Sequence, residues 1–117
     1  MRLDVTGVNA MNSAESFIRA CSLSEVPDEG VIGIDVKGTP VAIVRSGGEI
    51  FALHDVCSHD ELPLSDGEIH DRKIECPAHG SCFDLRTGAV TRWPARDPVR
   101  TFEARIDGDD VLVSIEP

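Results

Sequence analysis

Four side chains in two short stretches of this chain could hold a metal. Cys57-Ser58-His59 offers one thiolate and one imidazole, and Cys76-Pro77-Ala78-His79 offers a second of each. Two loops brought together would present two sulfur and two nitrogen donors. Such a set suits either a closed tetrahedral zinc site or a two-iron, two-sulfide cluster with thiolates on one iron and imidazoles on the other. Zinc fingers usually pair Cys with Cys and His with His, each pair on its own hairpin or helix. Here each loop carries one of each, so each could span a diiron rhomb with its Cys on the inner iron and its His on the outer one. The interleaved order favours the cluster, with zinc or no metal as the alternatives.

The elements that must position these loops read as short β-strands. Phe17-Ile18-Arg19-Ala20-Cys21 is a first strand, closed by a turn region with Ser24, Pro27, Asp28 and Gly30. Three β-branched runs follow, Val31 to Val36, Val41 to Arg45 and Glu49 to Leu53, separated by Lys37-Gly38-Thr39-Pro40 and Ser46-Gly47-Gly48. Separators this short predict hairpins and an antiparallel meander. From Asp55 to about Pro94 the sequence becomes rich in turns and encloses both ligand loops, with Lys73-Ile74-Glu75 and Cys82-Phe83-Asp84 as short strands beside the second one. Val99 to Ile106 then alternates with period two, and Asp107-Gly108-Asp109-Asp110 turns it into Val111 to Ile115. No stretch sustains a helical apolar stripe, although Ser22 to Val26 could make one turn.

The domain organisation predicted is a flexible leader over residues 1–15 and a single domain over 16–117. Its base strands lie at about 16–54 and 95–117, and a cluster-binding subdomain is inserted at about 55–94. Met11 stands as a second candidate start. A chain of 117 residues has room for one core and none for a second catalytic domain. Its net charge of −10 argues against nucleic acid or an anionic membrane surface as partner and favours proteins with basic docking faces. Asp55, Asp60, Glu61, Asp66 and Glu68 lie around the ligand loops and could steer such a partner as a group. Of the four cysteines, Cys21 reads as a small buried hydrophobe and Cys82, on the strand leaving the second loop, as a structural or redox-inert residue. The two need not meet in a disulfide, which suits a reducing, cytoplasmic setting. Trp93 reads as a packing anchor under the second loop. No membrane span or secretory signal is evident.

Cys57-Ser58-His59 and Cys76-Pro77-Ala78-His79-Gly80-Ser81, followed by Phe83-Asp84 and Thr87-Gly88, resemble the Rieske iron-sulfur proteins. The resemblance runs from about Phe17 to the C-terminus, nearly the whole chain. It implies an all-β, three-sheet antiparallel fold with the inserted subdomain, and one Rieske-type 2Fe-2S cluster per chain held by Cys57, His59, Cys76 and His79. High-potential members carry an extra cysteine in each loop, joined as a disulfide, and a tyrosine that hydrogen-bonds a cysteine sulfur. This chain has Leu62, Ala78 and Phe83 at those places and no tyrosine at all, which implies a reduction potential at the low end of the range. Small members without the disulfide are ferredoxin components of multicomponent aromatic-ring dioxygenases. The resemblance therefore implies a soluble, monomeric electron carrier rather than an enzyme. It would run between a flavin-containing, NAD(P)H-dependent ferredoxin reductase and a terminal oxygenase. A Rieske-like accessory protein of iron-sulfur assembly or redox sensing, or a small subunit of a reductase complex, is the alternative.

Overall fold

The computed structural model describes residues 16–59 and 61–115. The leader expected over residues 1–15 lies outside them, as does Asp60. Ten strands carry the described chain: β1 (Phe17–Ser22), β2 (Gly30–Val36), β3 (Thr39–Ser46), β4 (Glu49–His54), β5 (Glu68–His70), β6 (Lys73–Glu75), β7 (Cys82–Asp84), β8 (Val90–Arg92), β9 (Thr101–Asp107) and β10 (Asp110–Ser114). Single 3-10 turns occur at Leu23–Glu25, within the stretch expected to make one, and at Leu64–Asp66. The all-β, antiparallel expectation holds. One sheet runs β1-β10-β9-β4-β3-β2 and the other β5-β6-β7-β8. The larger is two three-stranded ladders spliced where β4 meets β9 through only two pairs, Ala52 with Phe102 and Leu53 with Thr101. With the four-stranded sheet these make the three ladders of the implied fold.

The turns explain why the strands pair as they do. Lys37-Gly38 and Gly47-Gly48 have positive φ at both central residues (52° and 87°, then 60° and 79°), the two-residue geometry that matches the strand twist of a hairpin. Asp71-Arg72, between β5 and β6, does the same at 53° and 60° with no glycine to advertise it. That is why β5 is missing from the sequence reading. Strand β8 is missing for a different reason: three residues leave no period to detect, and unlike β6 and β7 it does not adjoin the second ligand loop.

Two apolar cores lie on opposite faces of the β3-β4 hairpin. Val41, Ile43 and Ala52 pack with Cys21, Val26, Val36, Phe102, Val111 and Val113 to close the base. Val44 and Leu53, from the alternate positions, pack with Leu64, Ile74, Phe83, Leu85, Ala95, Val99 and both Cys57 and Cys76. Strand β3 is therefore buried on both sides, which is the reason Val41-Ala42-Ile43-Val44 is continuously apolar. The same hairpin that completes the base floors the loop region. Gly33 on β2 assists this contact: a Cβ there would stand 2.5 Å from Ser65 Oγ and 2.6 Å from Asp55 Oδ2, so only hydrogen lets the subdomain sit this close.

Candidate metal centre

The two ligand loops are built to one plan. The Cys57 amide donates to the Leu62 carbonyl at 2.8 Å, and the Cys57 carbonyl accepts from the Glu61 amide at 3.0 Å. Cys76 repeats this, donating to the Ser81 carbonyl at 2.7 Å and accepting from the Gly80 amide at 3.2 Å. The fourth residue after each cysteine turns into the left-handed region, Glu61 at φ 57° and Gly80 at φ 79°. Each loop thus curls back on its own cysteine and throws its histidine outward. Sequence reasoning missed the equivalence because Glu61 occupies a position where glycine is the usual marker.

A strap of residues 95–97 ties the two loops together. The Ser58 hydroxyl donates to the Asp97 carbonyl at 2.5 Å, and the Ala95 amide donates to Ser81 Oγ at 2.9 Å. Ser81 is fully buried, and accepting this bond leaves its own O-H proton to donate elsewhere. Behind the first loop the Asp55 carboxylate accepts from the amide and hydroxyl of Ser65, both at 2.6 Å, while its own amide donates to the Pro40 carbonyl at 2.9 Å. Asp55 is 8% exposed, so it braces the loop rather than joining a steering surface as the sequence suggested. Glu61, Asp66 and Glu68 are exposed.

Past the second loop, the Asp84 carboxylate accepts from the Arg86 amide at 2.8 Å and the Thr87 amide at 3.0 Å. Burial pushes this carboxyl up, but those two amides, the Thr87 hydroxyl and the Arg86 charge outweigh it and hold the pKa below the ordinary aspartate value. The turn expected from Asp84 and Thr87-Gly88 is present, with the Gly88 amide donating to the Asp84 carbonyl at 2.8 Å. Trp93 departs from expectation. It is 80% exposed and anchors nothing beneath the loop, because the smaller Ala95 fills the core position in its place.

The structure brings the candidate ligands together as two pairs, cysteine with cysteine and histidine with histidine. Cys57 and Cys76 are buried in the same apolar core, and the His59 and His79 rings, both exposed, meet edge to face with centroids 5.8 Å apart. None of the four cysteines is in a disulfide. Two sulfurs inside and two imidazoles outside are the donors a cluster with chemically distinct irons requires, so the residues present fit such a group. Buried thiolates would be shielded from solvent, and exposed imidazole edges would offer the shortest way for an electron to enter or leave.

Residues 16–103 match the family described as Rieske [2Fe-2S] domain. The chain belongs to that family, and within it to the small Rieske-type ferredoxins, so its cofactor is a [2Fe-2S] cluster of the Rieske type. The ferredoxin component of a naphthalene 1,2-dioxygenase system from Pseudomonas aeruginosa is 35% identical over 86% of this chain and 97% of its own length. The ferredoxin component of biphenyl 2,3-dioxygenase from Rhodococcus jostii (strain RHA1) is 37% identical over 86% of this chain and 94% of its own length. Among solved structures, the ferredoxin of carbazole 1,9a-dioxygenase from Nocardioides aromaticivorans IC177 is similar with a TM-score of 0.82 and 36% identity, covering 86% of this chain and 99% of that one. A ferredoxin solved in complex with the reduced oxygenase of carbazole 1,9a-dioxygenase gives a TM-score of 0.79 at 29% identity, over 88% of this chain and 94% of that one. No helix among the described residues is long and apolar enough to cross a membrane.

Proposed function

We propose that this chain is the ferredoxin component of an aromatic-ring dioxygenase system. It carries single electrons from a flavin-containing, NAD(P)H-dependent reductase to the terminal oxygenase. Cys57 and Cys76 would hold one iron and His59 and His79 the other. When bound, the cluster supplies a one-electron couple. The observation that carries this reading is the pair of exposed imidazoles 5.8 Å apart above two cysteines sealed in the core. All four ligands come from protein, so the centre passes an electron and has no position at which a substrate could coordinate. On this reading the chain is a carrier, not an enzyme.

The chain's own residues set the terms of that exchange. The core around Cys57 and Cys76 keeps water from the sulfur side. Ser81 keeps a proton that can be donated to a ligand sulfur, while Phe83 contributes only an apolar ring. With Leu62 and Ala78 in the loops there is no disulfide brace. Few bonds to sulfur leave the reduced state weakly stabilised, which places the potential toward the low end of the Rieske range. Exposed Leu62 supplies apolar area beside the acidic Glu61, and exposed Trp93 adds a further apolar ring, a combination suited to brief docking of a basic protein face. We infer further that residues 16–117 fold as a single domain and work as a monomer in the cytoplasm.

Reconstitution tests the proposal. With a pyridine-nucleotide-dependent flavin reductase and a ring-hydroxylating oxygenase, dihydrodiol formation should require this protein and saturate with its concentration. Reduction by no such reductase, together with tight stoichiometric association with an iron-sulfur assembly scaffold, would instead favour the accessory role.

A further inference from the structure

The outward face of the small sheet carries a second group of side chains of metal-ligand types. In the register of β5 to β8, Ile69, Ile74, Phe83 and Val90 form a row directed into the core. The adjoining row, Glu68, Glu75 and Cys82, points the other way, since successive residues alternate faces. Arg92 joins it opposite Cys82 because the β7-β8 register shifts between Cys82 and Phe83, and Cys82 and Arg92 line one solvent-open hollow. Cys82 is thus a thiol on a charged face. It is 2% exposed, yet among the described residues it joins neither apolar core, whereas Cys21, Cys57 and Cys76 each do. A cysteine used only as a small hydrophobe would sit in the inward row.

Its neighbours are ligand types. One donor atom from each of His70, Glu75 and Cys82 lies within 4.8 Å of the other two. His70 Nε2 and Glu75 Oε1 are 2.7 Å apart and share a hydrogen bond. An open hollow of about 300 Å³, lined in part by His70 and Cys82, leads to the group from solvent. We propose that His70, Glu75 and Cys82 form a second metal site, for a single borderline divalent cation of the zinc class. Tetrahedral zinc with such donors separates them by about 3.4 to 3.6 Å, so the side chains need only small rotations while the strands hold still. Water fills the fourth position. The cation takes the place of the proton between His70 and Glu75. His70 binds through Nε2 as the neutral tautomer that keeps its one proton on Nδ1, any excess proton passing to solvent, and the Cys82 thiol likewise releases its proton to solvent. One carboxylate and one thiolate then balance the two positive charges. Arg92, 61% exposed and with Nη1 4.0 Å from Glu75 Oε1, competes for the carboxylate but is free to swing into solvent. An ion here would pin β5, β6 and β7 together beside the second ligand loop.

The inference does not depend on the partners proposed above. The test uses untagged protein with its iron-sulfur cluster intact, incubated with zinc and then desalted. Zinc and iron are quantified, and zinc K-edge absorption reports the donors. One zinc per chain with one sulfur in its shell, no loss of iron, and at least tenfold weaker zinc binding in both Cys82→Ser and His70→Ala would support the site. Failure to retain zinc, a zinc shell without sulfur, equal binding by both variants, or zinc uptake matched by iron loss would overturn it.

Discussion

At the scale of single residues, the centre depends on what surrounds the sulfurs. Phe83 is fully buried in the core that contains Cys57 and Cys76, and its ring offers them no hydrogen bond. Phe83→Tyr is expected to raise the midpoint potential by about 40 mV, the equivalent of one neutral hydrogen bond of roughly 1 kcal/mol to the reduced state. Voltammetry of the two proteins checks this, and equal potentials would mean that the ring edge faces away from both sulfurs. The candidate ligands were legible in the sequence because sulfur and imidazole at short spacing have few other uses. The supports were less so. Asp55 reads as one more surface acid until the structure buries it against Ser65, and Trp93 reads as core until Ala95 is found in its place. Composition says which residue types tend to be buried, but not which individual departs from the trend.

At the scale of elements, two hairpin loops of one design are bolted to a rigid floor. The floor was readable from its β-branched runs and glycine turns. The small sheet was half readable, since β6 and β7 flank the second ligand loop while β5 turns on Asp71-Arg72 without a glycine. Asp55 is the bolt that joins first loop, Leu64–Asp66 turn and base sheet. Asp55→Ala would leave the part-buried Ser65 amide without its charged acceptor, a loss of about 1.5 to 3 kcal/mol. The expected result is cluster bleaching at a temperature several degrees lower in thermal scans followed by visible absorption, with the midpoint potential little changed. Unaltered thermal bleaching would show that the brace is not needed.

At the scale of the whole molecule, a net charge of −10 and a tip flanked by exposed acids should govern encounter more than grip. Raising ionic strength from about 0.01 to 0.5 M shortens the screening length from roughly 30 Å to under 10 Å. The second-order rate of electron transfer with a basic-faced reductase or oxygenase should then fall by about tenfold or more, read by stopped-flow bleaching. A rate independent of salt would assign docking to the apolar Leu62 and Trp93 instead. The most direct test of the whole account is pulsed electron paramagnetic resonance of the dithionite-reduced protein, with and without nitrogen-15 histidine labelling. Two strongly coupled histidine nitrogens on one paramagnetic two-iron centre, lost together with the visible spectrum in His79→Ala, are the predicted result. A centre with no coupled histidine nitrogen, or a His79→Ala protein that keeps an ordinary two-iron spectrum, would contradict it.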